Sequence, residues 1–126
     1  MSRSLARRWV APAAVGVVAF TAARAAMEPD AIVVSWWSYS TPLWYAQHVE
    51  GRRPDITIID DRTRLDEGLG ETTDVIDANL PTRPVYVIRD DPNEIARLAE
   101  RYVLGPIGGP DARFLTHVVA RRKAGA

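Results

Sequence analysis

Two pairs of adjacent aspartates, Asp60-Asp61 and Asp90-Asp91, are the residues of this chain with the clearest capacity for chemistry. Each pair follows an apolar run, so each falls where a β-strand would end. Carboxylates from neighbouring strand ends are the oxygen ligands that a hard cation such as Mg²⁺ or Ca²⁺ takes. The same residues fit a structural reading. Asp91 directly precedes Pro92 and suits a helix cap, while Asp60 and Asp61 can pair with Arg62 or Arg64. A phospho-acceptor site of the receiver type uses a similar edge but needs a nearby lysine. The single lysine, Lys123, stands in the C-terminal tail. His48 and His117 are the two histidines, and neither is spaced with a serine or carboxylate in a nucleophile motif. There is no cysteine, which excludes thiolate nucleophiles, zinc-thiolate sites and disulfides. Gly105-Pro106-Ile107-Gly108-Gly109 lacks the spacing and the lysine of a phosphate loop and reads as a hairpin turn. The chain carries no self-sufficient catalytic set, and no cofactor is implied.

A second constellation is aromatic. Ser35-Trp36-Trp37-Ser38-Tyr39-Ser40, followed by Trp44 and Tyr45, gathers three of the four tryptophans into one short stretch. On an extended strand neighbouring residues point to opposite faces, so one of Trp36 and Trp37 packs inward and the other outward. An outward indole beside serine and tyrosine hydroxyls stacks on a sugar or sits at a membrane interface. In the alternative, both rings cover the core beneath the first helix. Trp36, Trp37, Tyr39 and Ser40 are the candidate substrate-binding residues, and Asp60, Asp61, Asp90 and Asp91 the candidate metal ligands.

These groups need a scaffold, and the pattern supplies one. Ala31 to Val34, Asp55 to Asp60 and Pro84 to Arg89 are β-branched runs of strand length. Thr41 and Pro42 suit an N-cap and first helical residue, with the helix running to Glu50 and stopping at Gly51. The stretch from Asp61 to Gly70 is polar and reads as a loop. Thr73 to Leu80 has a short apolar stripe and reads as a helix. Asp91-Pro92-Asn93-Glu94 starts another, with Glu94 at the capping-box position. Tyr102 to Ile107 and Phe114 to Ala120 are expected to form an antiparallel pair. The expected fold is therefore α/β: a small three-layer or two-layer sandwich with a mostly parallel sheet of three βα units and a C-terminal antiparallel hairpin. An N-terminal hydrophobic helix precedes it. In such sheets function gathers at the carboxyl ends of the strands. Ser35 to Ser40, Asp60 to Arg64 and Arg89 to Asp91 fall there.

The 126 residues allow one folded domain, over residues 28–120, with a basic tail at 121–126. The formal net charge is zero, which speaks against a nucleic-acid partner. Residues 1–27 form a separate unit. Arg3, Arg7 and Arg8 precede an apolar run from Trp9 to Phe20, and Ala23-Arg24-Ala25 offers a cleavage site. The run is short of the roughly 20 residues of a full membrane span. Signal peptide, short anchor and the tail of a last membrane helix of a longer protein all fit, as does an ordinary helix of a cytosolic protein. The first three place the domain outside the cytoplasm, at the cell membrane.

The blocks Ala31 to Tyr45, Val49-Glu50-Gly51-Arg52-Arg53-Pro54-Asp55 and Arg83-Pro84-Val85-Tyr86 resemble the C-terminal extramembrane region of polytopic membrane proteins. Those proteins form a domain-of-unknown-function family related to protein O-mannosyltransferases, within the GT-C class of glycosyltransferases. The likeness covers most of residues 28–107. A more distant similarity is to the oligosaccharyltransferase catalytic subunit, whose extramembrane domain has a tryptophan-tryptophan-aspartate-tyrosine-glycine motif that helps hold the acceptor peptide. Trp36, Trp37 and Tyr39 occupy matching positions, but Ser38 departs from the aspartate and Ser40 from the glycine. The resemblance implies a membrane-associated accessory or binding domain without the catalytic membrane body. Its implied partners are the membrane, a separately encoded polytopic membrane protein, and a glycan or lipid-linked sugar. The competing expectations are a small secreted metal-dependent enzyme and a cytosolic ligand-binding α/β domain.

Overall fold

A computed structural model describes residues 26–35, 37–89, 91–106 and 115–123, with the side chains of Trp37, Ser38, Tyr39 and Pro106 left aside. The expected N-terminal helix lies outside the described residues. Five strands and four helices follow one another: β1 (Ile32–Ser35), α1 (Trp37–His48), β2 (Thr57–Asp60), α2 (Asp61–Asp66), α3 (Thr72–Asn79), β3 (Val85–Ile88), α4 (Pro92–Arg101), β4 (Tyr102–Pro106) and β5 (Leu115–Arg121). The strands make one mixed sheet in the order β2-β1-β3-β5-β4.

The central positions of β1, β2 and β3 are apolar because both faces of the sheet are covered. Successive residues point to opposite faces. Ala31, Val33, Ile58, Tyr86, Ile88 and Leu115 therefore meet Leu43 and Trp44 of α1 on one side. Ile32, Val34, Ile59, Val85, Val87 and Val118 meet Val75 and Ile76 of α3 and Leu98 of α4 on the other. The architecture is the three-layer form of the expected sandwich.

β1 pairs in parallel with β2 and with β3. β5 runs antiparallel to both β3 and β4. Hence β4 points the same way as β3, and β3-α4-β4 is a further crossover unit whose gap β5 fills. The antiparallel pairing of β4 and β5 matches expectation; the insertion of β5 between β3 and β4 was not foreshadowed by sequence order. The chain moves from β1 to β2 across one face and returns from β2 to β3 across the other, as right-handed crossovers require. The direction of winding changes at β1, so a crevice opens between the carboxyl ends of β1 and β3.

Two elements differ from expectation. The first helix begins at Trp37 rather than Thr41, which places Pro42 inside it. Proline lacks the N–H that would reach back four residues, so the first turn is joined to the rest with one hydrogen bond fewer. The tight connection from β1 leaves no room for a longer loop. Asp61 to Asp66 is a helix rather than part of a loop. Its polar sequence buries no residue, which is why it carries no apolar stripe, but Asp60 caps it by accepting from the Thr63 N–H at 2.7 Å. Gly51, at φ 65, is left-handed as a helix-terminating glycine should be, although α1 closes at His48.

Candidate functional site

The carboxyl edge of the sheet holds the polar groups that the fold buries. Ser35, Ser40, Asp60 and Arg89 are the buried polar residues among those described. Ser35, Asp60 and Arg89 sit at or just beyond strand ends, and Ser40 lies in the first turn of α1. Ser35 is the last residue of β1 and lies in register with Asp60, the last of β2.

The Ser35 and Ser40 hydroxyls are hydrogen-bonded to each other. This bond ties the end of β1 to the first turn of α1. Ser40, one of the expected binding residues, is completely buried and serves as an anchor of that turn. Trp36 and the side chains of Trp37 and Tyr39 lie outside the described residues. The backbone of Trp37 and Tyr39 belongs to the first turn of α1. Trp44 packs against the core under α1, and Tyr45 is exposed.

On the face covered by α3 and α4 lies a crevice of about 310 Å³. Its walls come from α2 (Asp61 and Arg64), the start of α3 (Glu71, Thr72 and Thr73), the residue after β3 (Arg89) and α4 (Glu94, Arg97 and Leu98). Arg89 is only 7% exposed. Its Nη2 stands 3.3 Å from Asp61 Oδ1, its Nε 3.2 Å from Glu94 Oε2, and its Nη1 donates to the Ile88 carbonyl at 2.9 Å. Arg64 Nη2 approaches the same Asp61 Oδ1 at 3.3 Å. Arg64 Nη1 donates to the Gly70 carbonyl and lies 3.9 Å from Glu71 Oε2. One carboxylate oxygen thus serves two guanidinium groups, each farther away than the 2.7–2.9 Å typical of a charge-assisted bond.

The aspartates expected as metal ligands have other work here. Asp60 caps α2 and Asp61 pairs with Arg64 and Arg89. Asp91 caps α4 by accepting from the Asn93 N–H at 2.9 Å. Asp90 lies outside the described residues. Among the described residues no group of three or more His, Asp or Glu is placed to hold a metal ion. Glu94, expected to complete a capping box, turns to Arg89 instead. The histidines stay apart: His48 is the last residue of α1, and His117 stacks on Tyr86 with ring centroids 4.7 Å apart.

Sequence reasoning placed Asp60 to Arg64 and Arg89 to Asp91 at the functional edge. It named Arg64 as a pairing partner for Asp60 and Asp61, which the Asp61–Arg64 pair bears out, and did not single out Arg89 or Arg97. The available signal was Arg89 itself, an arginine closing a fully apolar strand, where a buried charge needs partners. Glu71 to Thr73 had no signal, because only the return of α3 to this edge brings them in.

No family model, curated protein or solved structure matches the chain. Among the described residues no helix is long and apolar enough to cross a membrane.

Proposed function

We propose that this chain is a membrane-associated, extracytoplasmic binding domain of a glycosyltransferase-like assembly whose membrane body supplies catalysis. The observation that carries the proposal is the anchored turn after β1. The buried Ser35–Ser40 hydrogen bond joins the end of β1 to the first turn of α1 at the carboxyl edge, where α/β sheets receive ligands, and the sequence between the two serines carries two tryptophans and a tyrosine. Indole and phenol rings offer the flat apolar faces on which sugar rings stack. The basic and apolar pattern of residues 1–27 supports an extracytoplasmic location.

Two measurements test this. An alkaline-phosphatase fusion after Gly109 is active if the domain lies outside the cytoplasm, and an inactive, stably produced fusion overturns the location. Tryptophan-fluorescence titration of the full chain with mannose oligosaccharides tests the binding surface. Saturable binding that is lost in Trp36→Ala and Trp37→Ala, with unchanged melting, is the expected result. No saturable change with any oligosaccharide removes the glycan assignment.

A further inference from the structure

The crevice holds a buried donor and a buried acceptor without a hydrogen bond among the described residues. Arg64 is 12% exposed at its side chain, and its buried Nε makes no hydrogen bond among the described residues. Glu94 Oε2 is buried and accepts no well-aligned hydrogen bond, although Arg89 Nε lies 3.2 Å away. A buried polar atom without a hydrogen bond is costly, so two such atoms in one small cavity call for an explanation. Arg97, on α4 one turn beyond Glu94, lines the same crevice, is exposed, and pairs with no carboxylate among the described residues. Thr72 and Thr73 add hydroxyls at the start of α3, an end that favours negative charge.

The charges are not evenly placed. Arg64 and Arg89 are the more buried groups, while Asp61 and Glu94 are 30% and 38% exposed at their side chains and Glu71 85%. Solvent screens the carboxylates more than the two guanidiniums beneath them. The guanidiniums of Arg64 and Arg89 thus lie deeper than the carboxylates that pair with them.

We propose that this crevice binds a small hydroxylated oxyanion, a phosphate or carboxylate carried on a polyol-sized molecule. The oxyanion meets Arg64 Nε and the Arg97 guanidinium, with Thr72 and Thr73 beside it, and a ligand hydroxyl donates to Glu94 Oε2. The volume of about 310 Å³ is at the lower end for ligand pockets and suits a molecule of this size. The assignment stands on the crevice alone and does not depend on an extracytoplasmic location or on glycan binding by the aromatic turn.

The test is thermal melting and calorimetric titration of the full chain with glycerol 3-phosphate and with glycerate, against glycerol and sodium chloride at matched ionic strength. Either oxyanion should raise the melting temperature where glycerol and chloride do not, and the stronger of the two identifies the anion. Arg97→Ala removes an exposed side chain, so the fold should stand while affinity falls by about tenfold or more. Glu94→Gln keeps the shape and should weaken the polyol-bearing ligands more than inorganic phosphate. Absence of a shift with both oxyanions overturns the proposal, as does binding that Arg97→Ala leaves unchanged. Trp36→Ala should leave this binding intact, which separates it from failure of the aromatic surface.

Discussion

The Ser35 and Ser40 hydroxyls meet in a hydrogen bond across the turn from β1 to α1, with both side chains wholly buried. They stand five positions apart, so the bond helps fix where the helix starts. A net hydrogen bond of this kind contributes about 0.5–1.5 kcal/mol. Ser35→Ala and Ser40→Ala should each destabilise the domain by about that amount. The double variant should cost less than their sum, since the two groups share one bond. Urea unfolding of the four proteins measures the coupling, and strict additivity would show that the pair does not act as a unit.

Asp61 neutralises Arg64 and Arg89 through one oxygen. Removing it leaves two largely buried guanidiniums sharing fewer carboxylates. Asp61→Ala should lower stability by about 3 kcal/mol, the usual result of breaking a buried pair from one side. Asp66→Ala, which loses only the exposed pair with Arg62 at 3.7 Å, should stay within about 1 kcal/mol of the parent. Equal effects in denaturant melts would refute the burial argument.

Gly70 has φ 84, and a Cβ there would come within 2.6 Å of Asp74 Oδ2. Its carbonyl also accepts from Arg64. Gly70→Ala should cost about 1–3 kcal/mol through left-handed strain and crowding of the α3 cap. Gly68→Ala meets open space, although its φ of 63 is also left-handed. It should cost less, and the difference between the two melting temperatures isolates the steric part.

Tyr102 donates to Asp77 Oδ1 at 2.7 Å, joining β4 to α3. Burial, and then the bond and charge of Asp77, push the phenol up to about 12. Burial opposes the Asp77 carboxylate, but Tyr102, Arg101 and Arg121 outweigh it and hold its pKa below the ordinary value. The signs follow from linkage. The tyrosine contribution is complete below the unfolded tyrosine pKa of about 10 and is lost as pH rises toward the folded value. The aspartate contribution is present above the unfolded carboxylate pKa and is lost as pH falls through the lowered one. Asp77→Asn should therefore flatten the acid limb of stability and bring the most alkaline tyrosine step, followed by ultraviolet absorbance, to lower pH.

The sequence by itself determined the strands, because Ile32–Val34, Ile58–Ile59 and Val85–Ile88 are apolar at every position and strand burial on two faces demands that. It also determined the cap at Asp91 and the antiparallel pairing of the last two strands. It misplaced the start of α1 and missed α2. Local proline and polarity signals describe a residue's own preferences, whereas a buried serine pair and a buried aspartate cap set those helix starts. The crevice was decided by tertiary structure alone. Asp61 and Arg64 stand one helical turn apart, but Thr72, Arg89 and Arg97 come from three other segments that no local pattern links to them. They meet because crossovers on opposite faces bring the ends of β2 and β3 and the starts of α3 and α4 to one edge. Which arginine there is paired and which is left open depends on that meeting, since a charge's partner is set by distance in space rather than along the chain.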